Sequence, residues 1–189
     1  MSKILLLNSG GLDTAFLAKF TTDTANEVHS LHLNLNVENS EVASVAATTL
    51  AADFNCTSHV ELALDLNPIA VLHSEGTSVP GIAKIILSVG QSYARSLGEV
   101  DLVRASYRCD KEEGYAPLWN ALDSLDRMSF PHPRVPIELP FWNLASYEEI
   151  MAFMGITDAS EYAYTVSCSH VPPDGTCHKC VKRAALGLT

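Results

Sequence analysis

Positive charge is scarce in this sequence. Twelve Lys and Arg face 22 Asp and Glu over 189 residues, a formal net charge of -10. With no basic run to track a phosphate backbone, nucleic acid is not an expected partner. Long apolar runs are missing as well: no segment reaches the ~18 residues that span a membrane. The opening "MSKILLLNSGG" has too short an apolar stretch for a secretion signal and no small-residue cleavage site. The expectation is a soluble, cytoplasmic protein with no membrane partner. Internal repeats and low-complexity linkers are absent too. Charged residues make up 18% of the chain against 47% hydrophobic, which excludes intrinsic disorder and leaves enough apolar material for one real core. Of five cysteines, three crowd at 168, 177 and 180. In a reducing compartment that clustering reads as metal binding before disulfide formation.

What is present alternates between strand and helix patterns. The short apolar run 4–7 has the character of a buried strand, and 14–20 carries Phe16, Leu17 and Phe20 at helical spacing. Residues 28–36 alternate at Val28, Leu31, Leu33 and Leu35 and predict a second strand. An Ala-rich helix follows over 40–54, with Ser40 as its cap. Strands are predicted at 58–64 and 100–106, separated by a helix over 82–98 that stops at Gly98. Pro117 opens an amphipathic helix over 117–128. A proline-interrupted strand is predicted at 134–141, then a helix over 146–155 with a capping box from Ser146 to Glu149 and a stop at Gly155. The tail from Ser160 reads as loop. This order predicts an α/β fold with a doubly wound, Rossmann-like parallel sheet.

The first strand–helix turn, "NSGGLDT" (8–14), is the first place to look for a ligand. Gly10 and Gly11 allow close backbone approach. The N–H groups of Ser9 to Thr14 and the start of a helix suit an anion, and the Ser9 and Thr14 hydroxyls add donors. Neither GxGxxG nor GxxxxGK[ST] is matched, so dinucleotide and Walker fingerprints are excluded. The bland alternative is a tight connection with Asp13 as a cap.

"SGGLDT" resembles the "SGGxD[ST]" loop of the ATP-pyrophosphatase (PP-loop) superfamily, in which the loop cradles ATP phosphates and the Asp helps organise Mg²⁺. The tail "SCSHVPPDGTCHKCVKRAALGL" resembles the end of 7-cyano-7-deazaguanine synthases, the queuosine-pathway branch, where a Ser-Cys and a later "CGxCxxCxxR" build a zinc site. Gly175, Cys177, Cys180 and Arg183 agree, and Asp174 stands where that family has Cys. "VPG" at 79–81 and "EEGY" at 112–115 match further segments in order, as do Pro140, Leu144 and Glu148. Ile82, Ala83, Ala145 and Ser146 replace the polar groups expected there, and "NLNVEN" replaces the "YGQxH" that follows the second strand.

The resemblance implies a PP-loop ATP-binding α/β domain over 1–160 and a zinc-binding segment over 161–189 packed on the same domain. It implies ATP, Mg²⁺ and Zn²⁺ as cofactors, and a ligase that activates a 7-deazaguanine carboxylate and amidates it with ammonia to an amide or nitrile. Asn8, Ser9, Gly10, Gly11, Leu12, Asp13 and Thr14 would hold ATP, with adenine near Asn34 and Asn36. Asp13, Lys84 and Arg108 are the catalytic candidates, with Arg104 and Lys111 as further cations; Arg104 and Arg108 follow the fourth strand and are expected at the ligand-facing end of the sheet. Tyr107, Asp110 and Tyr115 are the base-binding candidates, with Glu112 and Glu113 in the same acidic run. Cys168, Cys177 and Cys180 would ligate zinc, with Asp174, His178 or His170 as the fourth group. Three free thiols are the alternative. A homodimer is implied as well. Two other readings stay open: a ligase acting on a different carboxylate or amide, and a non-catalytic nucleotide-binding relative.

Overall fold

The computed structural model describes residues 2–25, 27–73, 76–78, 81–98, 100–107, 135–166, 168 and 175–188. Five parallel strands form the sheet, in the order β3-β2-β1-β6-β7. They are β1 (Lys3–Leu7), β2 (Glu27–Asn34), β3 (Ser58–Ala63), β6 (Leu102–Arg104) and β7 (Ile137–Glu138). A separate antiparallel hairpin pairs β4 (Val71–His73) with β5 (Gly76–Ser78). The helices are α1 (Leu12–Thr24), α2 (Ser40–Asp53), α3 (Ile82–Leu97), α4 (Tyr147–Met154) and α5 (His178–Ala185).

The central strand explains the apolar run at the start of the chain. A parallel strand covered on both faces has no polar side to alternate with. Leu6 packs with Leu12, Phe16, Phe141, Tyr147 and Ile150 on one face. Leu5 and Leu7 pack with Leu31, Leu33, Leu87 and Val103 on the other, against α3. Phe16 sits fully buried between the rings of Tyr147 and Tyr162, with centroids 6.2 and 5.4 Å away in edge-on geometry.

The doubly wound parallel sheet therefore stands, with particular differences. The first helix begins at Leu12 and runs to Thr24, longer at both ends than the apolar spacing over 14–20. Its threonine-rich end is closed by hydroxyls bonding back to carbonyls, Thr22 to Ala18 at 3.1 Å and Thr24 to Phe20 at 2.7 Å. Ser40 does not cap α2. It lies inside the first turn, where its hydroxyl accepts from the Val37 N–H at 2.8 Å, and Asn39 takes the N-cap position. Arg104 does not face the carboxyl end of the sheet. Its guanidinium donates to Glu138 at 2.6 Å and to the Thr24 hydroxyl at 2.7 Å, and lies 4.8 Å from the Phe20 ring centroid. The tail is more ordered than a loop, with a 3₁₀ turn at Ser160–Tyr162 and helix α5. The helix expected over 117–128 lies outside the described residues. Among the described residues, no helix is long and apolar enough to cross a membrane.

Candidate functional site

A cavity of about 240 Å³ opens at the carboxyl ends of β1, β2 and β6. From β1 the chain winds outward to β2 on one side and later to β6 on the other, so this is the switch point where ligands of such sheets bind. Asn8 and Ser9 from the glycine turn line it, as do His32 from β2, Asn39 and Ala43 around the start of α2, and Ser106 and Tyr107 after β6.

Asn8 is the internal scaffold of the turn. It is 3% exposed, and every polar group it carries is used. Its amide nitrogen donates to the Ser30 hydroxyl at 3.0 Å and to the Ala47 carbonyl at 2.8 Å. Its Oδ1 accepts from the Gly10 N–H at 3.0 Å, and its carbonyl accepts from His32 Nδ1 at 2.8 Å. That last bond places the Nδ1 proton of His32. Its buried Nε2 has no hydrogen-bond partner among the described residues.

Gly10 is required twice over. Its φ is +73°, and a Cβ there would lie 2.5 Å from the Ala43 carbonyl oxygen. Beside it, three hydroxyls meet: Ser9 and Thr14 at 2.8 Å, and Thr14 and Ser106 at 3.3 Å. Thr14 is fully buried, so its hydroxyl fixes the cluster while Ser9 remains exposed at the rim. Asp13, in the first turn of α1, accepts from the Tyr147 hydroxyl at 3.0 Å. The Ser106 contribution was not legible from the turn, because it comes from 92 residues away.

The structure places Asn8, Ser9 and Tyr107 on the cavity wall; Gly10, Gly11 and Asp13 continue the turn from there, and Leu12 and Thr14 are fully buried. It does not bring Asn34 there. The Asn34 amide donates to Glu61 of β3 at 2.8 Å, while its Oδ1 accepts from the Asn36 N–H at 3.1 Å. The Asn36 side chain is bonded to Asp65 at 3.0 Å. The cavity wall at the end of β2 is His32, Leu33, Leu35 and Val37 instead. Lys84 is exposed in the first turn of α3, outside the lining, two residues before Ile86, which is in it. Arg108, Asp110, Lys111, Glu112, Glu113, Tyr115, His170 and Asp174 lie outside the described residues.

The second candidate centre is the thiol cluster. The sulfurs of Cys168, Cys177 and Cys180 all lie within 4.8 Å of one another, and Cys168 and Cys177 are 3.7 Å apart. A disulfide needs about 2.05 Å. A tetrahedral zinc with bonds of about 2.3 Å separates its sulfurs by about 3.8 Å. The donor set therefore fits zinc, and the Cys177 sulfur also caps α5, accepting from the Cys180 N–H at 3.4 Å. Burial first, and then hydrogen bonding to Cys168 and Cys177, pushes the Cys180 thiol up to about 12. At neutral pH the Cys180 sulfur therefore keeps its proton unless a cation takes its place. His178 heads α5 beside this cluster in sequence.

Arg183 anchors the segment. It is 8% exposed and donates to the Thr165 hydroxyl at 2.7 Å and the Ala163 carbonyl at 2.9 Å. Leu188 is buried in the main core behind it.

No protein-family model matches the sequence, and no curated protein matches it. Solved structures do. NMN synthetase from Francisella tularensis aligns over 100% of this chain and 73% of its own, with a TM-score of 0.58 and 15% identity. NH3-dependent NAD synthetase from Campylobacter jejuni aligns over 82% of this chain at 19% identity and a TM-score of 0.49. This chain spans 65% of that protein's length. A predicted subunit of tRNA methyltransferase from Methanocaldococcus jannaschii aligns over 82% of this chain and 75% of its own, at 15% identity and a TM-score of 0.49. The likeness to NMN synthetase, which covers this whole chain, shows a Rossmann-like fold, and the fold alone.

Proposed function

We propose that this chain is an ATP-dependent ligase forming carbon–nitrogen bonds, with ATP laid across the 8–14 turn. One observation carries this. A glycine turn heading a 13-residue helix opens on the switch-point cavity, with the Ser9, Thr14 and Ser106 hydroxyls gathered beside it. Hydroxyl donors and the positive end of a helix suit phosphates. The fold shared with NMN synthetase supports the reading by analogy.

The substrate we favour is a 7-deazaguanine carboxylate. A carboxylate oxygen attacks the α-phosphorus of ATP and pyrophosphate leaves. Ammonia then attacks the acyl carbon and AMP leaves, giving the amide and releasing a proton. In a second activation the amide oxygen attacks the α-phosphorus of another ATP and pyrophosphate leaves; AMP then departs with that oxygen as the nitrogen gives up its protons, leaving the nitrile. Mg²⁺, when bound, supplies charge neutralisation at the phosphates, and Asp13 is the carboxylate of the turn that would hold it. Tyr107 on the cavity wall is suited to stack on a planar base. Lys84, from the first turn of α3, and Arg108 are the proposed cations for the reacting phosphates. Zinc on the three cysteines has a structural role.

A second reading, with a different carboxylate as substrate, is favoured by two replaced positions. Ala83 is 4% exposed and belongs to the core. Ser146 is the N-cap of α4, its hydroxyl accepting from the Glu149 N–H at 3.2 Å. Both sites serve the fold here. Incubation with ATP, Mg²⁺, ammonium and 7-carboxy-7-deazaguanine, followed by mass detection, tests the proposal. Amide or nitrile supports it. ATP turnover with other carboxylates alone favours the second reading, and no turnover with any contradicts both.

A further inference from the structure

Asn39 occupies a helix N-cap, where Asn ordinarily turns its side chain onto the helix N–H groups. Here it makes no such bond. Its amide reaches 129 residues along the chain and donates to the Cys168 carbonyl at 3.1 Å. The same Asn39 lines the cavity beside the glycine turn. A second bond runs in parallel: the Val166 N–H donates to the Gly10 carbonyl at 2.9 Å. The Val166 carbonyl also lies 3.3 Å from where a Cβ on Gly11 would stand. The glycine turn is thus held between α2, through Asn8 and Ala47, and the backbone leading into the thiol cluster.

Cys168 is held at its carbonyl by Asn39, and its sulfur lies beside Cys177. It is 3% exposed, with its Sγ 3.7 Å from that of Cys177. Cys177 caps an eight-residue helix, too short to persist alone. A metal on the three sulfurs closes the loop between Cys168 and Cys177 and fixes the Cys168 carbonyl that Asn39 grips.

We propose that the three-cysteine cluster and the nucleotide cavity are coupled through Asn39 and the Gly10–Val166 bond, so that a zinc-class cation on the thiolates tightens ATP binding and ATP tightens the cation. Given the nucleotide reading above, the coupling must be reciprocal, because linkage makes each ligand change the other's affinity by one factor. Asn39 is then a positioning residue: its amide sets the cavity wall according to where Cys168 lies.

The test uses the full chain with Zn²⁺ and ATP. Zinc affinity is measured by competition with a chromogenic chelator, with and without saturating ATP. ATP affinity is measured by titration calorimetry on zinc-loaded and zinc-stripped protein. The expected result is a change of about five-fold or more, equal in both directions. In Asn39→Asp, which keeps the shape but cannot donate to a carbonyl, zinc still binds and the ATP effect on zinc affinity shrinks. That comparison needs no stripped protein, so it stands even where stripping unfolds the tail. ATP binding that leaves zinc affinity unchanged in the unaltered protein overturns the coupling alone. Full coupling retained in Asn39→Asp overturns the role of Asn39. No ATP binding to zinc-loaded protein overturns the nucleotide reading and the coupling with it.

Discussion

The Tyr147 hydroxyl donates to the Asp13 carboxylate at 3.0 Å, joining the start of α4 to the start of α1 across 134 residues. Tyr147 is 5% exposed, and its ring meets Phe16 edge-on. Tyr147→Phe keeps the ring and removes the donor. A hydrogen bond to a charged group is worth about 1.5–3 kcal/mol. For a chain of this size that predicts a Tm lower by about 3–12 °C. An unchanged Tm would show that Asp13 does not depend on this tether.

Gly10 and Gly81 share a positive φ, +73° and +72°, yet meet different surroundings. A Cβ at Gly81 has nothing within 4 Å among the described residues, whereas one at Gly10 collides with the Ala43 carbonyl at 2.5 Å. Gly81→Ala should lose about 1–2 kcal/mol, the strain of the left-handed conformation alone. Gly10→Ala should lose more than about 4 kcal/mol or fail to fold. Denaturant unfolding of the two variants side by side checks this, and equal losses would contradict it.

His59 predicts a pH dependence. Its Nδ1 is bonded to the Ser30 hydroxyl at 2.9 Å, the same hydroxyl that accepts from Asn8. Burial, and then the neighbouring His32, hold its pKa below the usual 6.5, with Glu61 opposing. The folded state therefore resists a proton that the unfolded state accepts. The contribution is fully present above pH 6.5 and declines as pH falls through 6.5 toward the lowered folded value. Tm should drop between pH 7.5 and 5.5, and His59→Gln should flatten that drop. An equal drop in the variant would show that other groups cause it.

The thiol cluster predicts one zinc per chain by elemental analysis of protein purified without added metal. Removing it should expose the tail. Limited proteolysis after chelation should cleave near the C-terminus, and Cys177→Ser should reproduce that pattern without a chelator. Metal-free protein with an intact, protease-resistant tail would contradict the site.

How much of this was written in the sequence depends on how far apart the interacting residues lie. The capping box at Ser146 and Glu149 is local and was legible, although the Glu149 carboxylate accepts from the Ala145 N–H at 2.7 Å, one residue before the cap. The buried run of β1 and the turn after it were legible for the same reason. Helix α5 was not, because its cap is a cysteine sulfur and it buries Arg183 while leaving Val181 exposed. Arg104 was misplaced because its partners, Thr24 and Glu138, come from distant segments. Asn34 and Asn39 illustrate the same limit. Both stand near the end of β2, and only the tertiary partners, Glu61 for one and Cys168 for the other, decide which reaches the cavity.

The central claim is that the opening turn binds ATP, and titration calorimetry with ATP and Mg²⁺ tests it most directly. The unaltered protein should bind. Ser9→Ala, which removes the hydroxyl 2.8 Å from Thr14, and Asp13→Asn, which removes the charge while keeping an acceptor for Tyr147, should each weaken binding. A loss of about ten-fold corresponds to about 1.4 kcal/mol, the worth of one such interaction. Both variants should keep their folded circular dichroism spectra. ATP affinity unchanged in both variants, or no ATP binding by the unaltered protein, would contradict the account.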